Sequence, residues 1–153
     1  MEIRPLTFAN LELVRDLAQR AESEGFKFVT RFADECASGS VQLDAPGEYF
    51  CGVFDEGDLV ALGGVTPDPY IDDASVGRLR HVFVRPEFRA RGVGRMLVAT
   101  LESRAGKRYA RLRLRTDTVA AAHFYERLGY HAVSSDSATH ERALSPDVRK
   151  WAT

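Results

Sequence analysis

The stretch from Val84 to Gly94 constrains the fold more than any other part of the chain. An apolar segment over residues 76–84 ends at a proline, and a short basic turn then leads to the pair Gly92 and Gly94. Apolar residues at helical spacing follow over residues 92–106 and predict a helix. The sequence therefore predicts a strand, a tight turn and a helix in direct succession, which is typical of an α/β fold.

This turn has the composition of a phosphate-binding site. The first N–H groups of a helix are unpaired and carry partial positive charge, so an anion placed there accepts several hydrogen bonds. Gly92 and Gly94 let an anion approach the backbone closely, and Arg89 and Arg91 add positive charge. The three-glycine Rossmann spacing and the Gly-Lys-Ser/Thr ending of a P-loop are both absent. A tight strand-to-helix connection alone is the alternative explanation of the glycines.

The remaining elements indicate one domain over residues 1–153, since no repeat or long linker interrupts the pattern. We expect a mixed sheet with helices packed against it. Thr7 is the predicted N-cap of the first helix. The predicted strands cover residues 2–6, 49–54, 59–65, 76–84, 111–115, 130–134 and 139–144, and the predicted helices run to residue 23 and over 28–37, 92–106 and 119–128.

Charge is distributed unevenly along the chain. Residues 1–77 carry a formal charge of −10 and residues 78–115 carry +10, although the whole chain is at −1. The basic middle segment indicates an anionic partner, for which nucleic acid, a phosphorylated cofactor and an acidic substrate all qualify. A basic surface balanced by the acidic N-terminal part of the same domain is the simpler alternative.

Several classes of protein are disfavoured by composition. No apolar run is long enough to cross a bilayer, and the start of the chain does not resemble a signal peptide. Cys36 and Cys51 lack metal-type spacing, so we expect two reduced thiols and no metal. These features predict a cytoplasmic protein without a membrane partner.

Three motifs resemble those of the GNAT family of N-acetyltransferases, in the same order. Residues 89–94 (RARGVG) match the family's Gln/Arg-x-x-Gly-x-Gly/Ala signature, and residues 81–86 (HVFVRP) look like its fourth strand. Residues 121–130 (AAHFYERLGY) resemble its Ala-x-x-Phe-Tyr-x-x-x-Gly-Phe/Tyr segment. The resemblance implies a mixed, mostly antiparallel central sheet with a splayed parallel strand pair, flanked by helices on both faces.

The resemblance also implies that acetyl-CoA is the cofactor. In the family, the pantetheine arm lies between the splayed strands, which would place it against Val82, Phe83 and Val84, with the backbone of Val82 and Val84 pairing to it. The pyrophosphate would lie on the turn that follows, whose implied contacts are Arg89, Ala90, Arg91, Gly92, Val93 and Gly94.

Two further residues are implied at the cofactor. Tyr125 matches the tyrosine that lies near the CoA sulfur and protonates, or hydrogen-bonds to, the departing thiolate. Packing within an apolar helix end is the alternative role for this side chain. Thr118 stands where many members have an asparagine that bonds to pantetheine, and it can still cap the helix.

The general base does not follow the family pattern. Members that acetylate lysine carry a glutamate on the fourth strand, at the position of Arg78 here, and an arginine cannot act as a base. Histidines titrate near neutrality, so His81, His123 and His140 are candidates, with His81 preferred for its place on the fourth strand. A chain of water molecules is the remaining alternative.

We therefore expect an N-acetyltransferase that acts on a primary amine of a small molecule or peptide. A non-catalytic acyl-CoA-binding sensor of the same fold is the alternative, because the glutamate is missing. A nucleic-acid partner is disfavoured, since a cofactor accounts for the basic turn and the arginines of residues 111–115 alternate with leucines. Family members often form homodimers, so a homodimer is possible.

Overall fold

A computed structural model describes residues 1–144, and within them seven strands form one sheet. The strand order across the sheet is β1-β2-β3-β4-β5-β7-β6, and every neighbouring pair is antiparallel except β4 and β5, which are parallel. This confirms the predicted sheet. The strands are β1 (Glu2–Pro5), β2 (Tyr49–Asp55), β3 (Asp58–Pro67), β4 (Val76–Val84), β5 (Arg111–Leu114), β6 (His131–Ala132) and β7 (His140–Ala143).

Helices cover both faces of the sheet, as predicted. α1 (Leu11–Ser23) and α2 (Phe28–Ser38) bury their apolar sides against one face, in a core that includes Phe32 and Phe50. α3 (Val93–Ala105) and α4 (Val119–Arg127) belong to the opposite face, where Leu97, Leu101 and Tyr125 share a second core. Each layer removes apolar surface from water, which is the main source of stability for such a fold.

Most predicted boundaries agree with the structure, and the differences are local. Thr7 precedes a single 3-10 turn (Phe8–Asn10) rather than α1 itself, because its amide is bonded to the side chain of Asn10 at 2.9 Å. The last two strands are shorter than predicted. The predicted domain over residues 1–153 extends past residue 144, so its final residues lie outside the described part.

Two expectations from composition concern membrane-spanning helices and the state of the cysteines. No helix within residues 1–144 is both long enough and apolar enough to cross a bilayer. Cys36 and Cys51 are both buried and free. The cytoplasmic location stays a prediction.

Candidate active site

The candidate site lies where β4 and β5 part. Within residues 1–144 the two strands pair only through residues 76–78 of β4, and β4 then continues to Val84 with no strand partner on that edge. The amide of Arg85 donates to the carbonyl of Val60 on β3 at 2.9 Å. Because backbone groups alternate in direction along a strand, those of Val82 and Val84 point to the open edge. The gap therefore offers backbone donors and acceptors to a ligand.

Phe83 is directed away from this gap. Its backbone is paired with Leu62 of β3, and its ring packs with Phe26 and Phe28 at centroid distances of 6.4 and 6.2 Å. This aromatic cluster belongs to the core under α1 and α2, so Phe83 is a core residue. The predicted contact of Phe83 with the cofactor is not supported by this placement.

The turn between β4 and α3 is shaped to hold an anion. Ala90 and Gly92 both have a positive φ, at 60° and 80°, and α3 begins immediately afterwards. The first helical hydrogen bond runs from Met96 to Gly92, so the N–H groups of Val93 and Gly94 have no partner within the helix. Left-handed residues next to a helix start aim successive N–H groups at one point, which is an anion-binding arrangement.

Gly92 and Gly94 are glycines for different reasons. At Gly92 a side chain would meet open space, and the left-handed backbone is what favours glycine. At Gly94 a Cβ atom would lie 3.2 Å from the ring of Phe124 and 3.6 Å from Val84. Gly94 thus lets α3, α4 and the end of β4 approach one another closely.

Arg89 and Arg91 have separate roles. The guanidinium of Arg89 is bonded to both carboxylate oxygens of Glu24, and its Nε donates to the carbonyl of Val84 at 2.9 Å. Arg91 lies over the ring of Phe88 at 4.9 Å and forms no ion pair within residues 1–144. Arg91 is therefore the more available cation for a phosphate. Glu24 was not predicted, because it lies 65 residues from Arg89 in the chain.

α4 brings Thr118 and Tyr125 to the same side of the sheet as the turn. The Thr118 hydroxyl accepts a hydrogen bond from the amide of Ala121 at 3.1 Å, so Thr118 is the N-cap of α4. Tyr125 is buried, with its ring edge-on to Phe124 and Tyr130 at 5.0 and 5.6 Å. Burial is the sole cause that raises the pKa of Tyr125 above its usual value, so the phenol stays protonated at neutral pH.

His81 lies in an irregularity of β4. Its φ is 61°, and the register between β3 and β4 shifts at this position. The imidazole packs against the rings of Phe32 and Phe50 at centroid distances of 5.0 and 6.3 Å. Burial lowers the pKa of His81 to about 3, with a further contribution from the neighbouring charges of Arg80 and Arg31. A group with so low a pKa accepts a proton poorly near pH 7, which argues against the predicted role of His81 as general base.

His140 connects β7 to α4. Its Nε2 is 2.8 Å from a carboxylate oxygen of Glu126, and its Nδ1 is 2.9 Å from the hydroxyl of Thr139. Since Glu126 directly follows Tyr125, this pair fixes α4 at the residue next to the tyrosine. His123 is exposed on α4. Neither histidine is held in a way that singles it out as a base.

Arg78, which the sequence analysis excluded as a general base, belongs to a buried ion network. Asp68 accepts hydrogen bonds from Arg78 at 3.4 Å and from Arg113 of β5 at 3.0 Å. Arg78 also donates to the carbonyl of Ser137, and Arg113 donates to the hydroxyls of Ser135 and Ser137. This network joins the β3–β4 loop to the β6–β7 loop. Sequence alone did not indicate it, because no motif links these distant residues.

These elements together form an elongated site for a ligand with an anionic end. The N–H groups at the start of α3 suit phosphate, the edge of β4 suits an amide-bearing arm, and the ring of Tyr125 lies in the core on the same face of the sheet as α3. Within residues 1–144 no three His, Cys, Asp or Glu side chains are grouped so that they could hold a metal ion.

The amino-acid sequence matches the model of the acetyltransferase (GNAT) family over residues 11–130. That range contains the gap, the turn, α3, α4 and Tyr125, so the match covers the whole candidate site. The comparison with curated protein sequences gives no match.

Solved structures of acetyltransferases share the fold. A candidate acetyltransferase from Exiguobacterium sp. 255-15 is 29% identical, with a TM-score of 0.80 over 93% of this chain and 92% of that one. The PaiA N-acetyltransferase of Thermoplasma acidophilum, solved in complex with coenzyme A, is 18% identical, with a TM-score of 0.70 over 93% and 98%. The ribosomal-protein-S18-alanine N-acetyltransferase of Escherichia coli is 21% identical, with a TM-score of 0.66 over 92% and 88%.

Proposed function

The chain belongs to the GNAT acetyltransferase family, and we propose that it transfers the acetyl group of acetyl-CoA to a primary amine of a small molecule or peptide. The observation that carries this proposal is the open edge of β4 leading to the unpaired N–H groups of α3. Family membership supports acetyl-CoA as the donor, and the similar Thermoplasma structure is a complex with coenzyme A.

The cofactor would bind along the gap with its pyrophosphate at the turn. The N–H groups of Val93 and Gly94 would bond to the phosphates, and Arg91 would add a charge-assisted contact. The pantetheine arm would pair with the free backbone groups of Val82 and with the amide of Val84. The carbonyl of Val84 is already bonded to Arg89, so Val84 contributes its donor only.

The chemical step is an acyl transfer. The neutral amine nitrogen attacks the thioester carbonyl carbon, a C–N bond forms, and the C–S bond breaks when the tetrahedral intermediate collapses. The proton leaves the nitrogen, and the sulfur gains a proton as CoA is released. The products are an acetamide and free CoA, which balances the reaction.

Tyr125 would stabilise the departing sulfur. A free thiol has a pKa of about 8.5, whereas burial raises the pKa of Tyr125 above its usual value near 10. Complete proton transfer from the phenol to the thiolate is therefore unfavourable. We assign Tyr125 the role of hydrogen-bond donor to the developing thiolate, which takes its final proton from water.

No side chain is assigned as the general base. His81 is too weakly basic, and Arg78 is held by Asp68. An amine that enters in its neutral form needs only to lose a proton after attack, and water can accept it. The surroundings of the bound acceptor must therefore keep enough of its amine in the neutral form.

The test is release of CoA thiol in the presence of a panel of primary amines, with the acetylated product identified by mass. Tyr125→Phe keeps the ring but removes the hydroxyl, so we expect kcat to fall by roughly tenfold to a thousandfold. Acetyl-CoA affinity should be nearly unchanged. Tyr49→Phe, at the start of β2 and outside the gap, removes a hydroxyl in the same way and serves as the matched control.

Two results would contradict the proposal. Tight binding of acetyl-CoA without product from any amine would favour the non-catalytic sensor. A full kcat for Tyr125→Phe, measured where chemistry limits the rate, would make Tyr125 a packing residue only.

A further inference from the structure

Four arginines lie on the face of the sheet that α1 and α2 partly cover, at the point where β4 parts from β5. Arg78 and Arg113 share the single carboxylate of Asp68, with side chains that are 8% and 4% exposed. Arg80 follows Arg78 on β4, and Arg31 belongs to α2. Positive charge therefore exceeds negative charge in this cluster.

Arg31 and Arg80 both lie near His81. Phe32, next to Arg31 in α2, packs against the His81 ring at 5.0 Å, and Arg80 directly precedes His81 in β4. Both neighbouring charges that act on the imidazole are positive. Within the described residues 1–144, neither Arg31 nor Arg80 forms an ion pair. Two guanidinium groups that form no ion pair within residues 1–144 thus lie close enough to His81 for their charge to act on its imidazole.

This region is where an acceptor would approach. The phosphate turn, α3 and α4 belong to the opposite face of the sheet, and the gap beside β4 connects the two faces. A thioester that enters the gap from the α3 face presents its carbonyl near residues 80–82. The acceptor must then reach it from the face that carries Arg31 and Arg80.

We propose that the acceptor carries a carboxylate, and that Arg31 and Arg80 bind this group while the amine points to the thioester. The inference rests on the acetyl transfer proposed above and names the class of acceptor as an amino acid or a related amino carboxylic acid. Guanidinium groups bind carboxylates with strong, directional hydrogen bonds. The two guanidinium groups carry two positive charges, and a single carboxylate neutralises only one of them.

The remaining charge has a consequence for the amine. A nearby positive charge disfavours the ammonium form and lowers the pKa of the bound acceptor amine. The acceptor would therefore bind with a larger fraction of its nucleophilic neutral form. This effect reduces the need for a general base at the position that Arg78 occupies.

The kinetic test compares each amino carboxylic acid with its own amide, which has the same amine but no anionic group. We expect kcat/KM to be at least roughly tenfold higher for the acid, the effect of one charge-assisted contact. Arg31→Gln and Arg80→Gln should each reduce this ratio severalfold, mainly through KM. Arg127→Gln, an exposed arginine on α4 that forms no ion pair within residues 1–144, should retain the ratio.

Binding gives a second readout that does not require turnover. N-acetylglycine and N-acetylglycinamide are titrated into the CoA-saturated protein while the His81 imidazole is followed by NMR. A carboxylate beside Arg31 and Arg80 should change the chemical shifts of the His81 ring at neutral pH, where the ligand is anionic. The amide should leave these shifts nearly unchanged. Circular dichroism verifies that each variant is folded.

The outcomes separate this inference from the proposed function. Turnover with equal kcat/KM for acids and amides, or a ratio retained in both arginine variants, would overturn the carboxylate assignment. Preference for aminoalkyl phosphates over carboxylates would overturn it as well. If no amine is acetylated, the proposed function fails. A carboxylate-dependent change in the NMR signals of His81 that is lost in Arg80→Gln would still support the anion site. Absence of that change overturns it.

Discussion

The guanidinium of Arg89 and the carboxylate of Glu24 form a two-point ion pair, with nitrogen–oxygen distances of 2.6 and 2.7 Å. Glu24 directly follows α1, and Arg89 lies in the turn before α3. Since Arg89 also donates to the carbonyl of Val84, the pair fixes the end of β4 and the start of the phosphate turn together. Arg89 therefore positions the turn rather than extending freely to a ligand.

Glu24→Gln should weaken CoA binding by about twofold to fivefold, because an exposed ion pair contributes roughly 0.2–1 kcal/mol. Arg89→Gln should have a similar effect, and the double variant should be no worse than either single one. Isothermal titration calorimetry provides the affinities, with Glu22→Gln on α1 as control. Tighter binding in Glu24→Gln would mean that the released Arg89 contacts phosphate directly.

The two glycines of the turn should respond differently to alanine. Gly92→Ala places a side chain at a φ of 80°, which costs about 1 kcal/mol, and CoA affinity should fall as the N–H groups reorient. Gly94→Ala should destabilise through contact with Phe124.

Thermal melts of Phe124→Leu combined with each glycine variant provide the comparison. The smaller leucine side chain at position 124 should reduce the destabilisation caused by Gly94→Ala but not that caused by Gly92→Ala. Equal relief of both variants would show that packing, rather than backbone conformation, governs Gly92.

Stability should decrease in acid because of His81. The pKa of His81 is about 3 in the folded protein against 6.5 in its ordinary form, so the unfolded chain binds more protons between these values. By linkage, stability contributed by the neutral imidazole is complete above about pH 6.5 and is lost as pH falls toward 3. At pH 5 the loss is about 2 kcal/mol, since one pKa unit corresponds to about 1.4 kcal/mol.

Urea unfolding of the protein and of His81→Gln at pH 7.5 and pH 5 measures this directly. Glutamine cannot titrate, so the variant should lose less stability than the parent over the same interval. His131→Gln, which replaces an exposed imidazole, is the control. An identical loss in parent and His81→Gln would mean that the imidazole titrates normally.

Asp68→Asn should destabilise the protein by about 3 kcal/mol, because it leaves the buried guanidinium groups of Arg78 and Arg113 without a counterion. Asp73→Asn, in the same loop but exposed, should be close to neutral. Denaturant midpoints provide the two values. A loss below about 0.5 kcal/mol for Asp68→Asn would indicate that water solvates the network.

The central elements of the fold could be predicted because their signals are local. β4 has the predicted bounds, since its apolar run ends at Pro86, and the α3 and α4 bounds agree within a residue. The resemblance to the GNAT family also indicated the parallel pair of β4 and β5.

The rest depends on contacts between residues far apart in the chain. The conformation of His81 arises from a register shift against β3, for which a single strand has no signal. Asp68 meets Arg113 across 45 residues, and Glu24 meets Arg89 across 65. Phe83 belongs to a core that forms only when α1 and α2 pack on the sheet.

The most direct test of the account is a titration of the isotopically labelled protein with CoA, followed through its backbone amides by NMR. Pairing with pantetheine and phosphate should shift the amides of Val82, Val84, Val93 and Gly94 most strongly, with smaller effects along β1 and β2. This result would place the cofactor along the open edge of β4. Largest shifts in β1 or β2, or no shift at millimolar CoA, would contradict it.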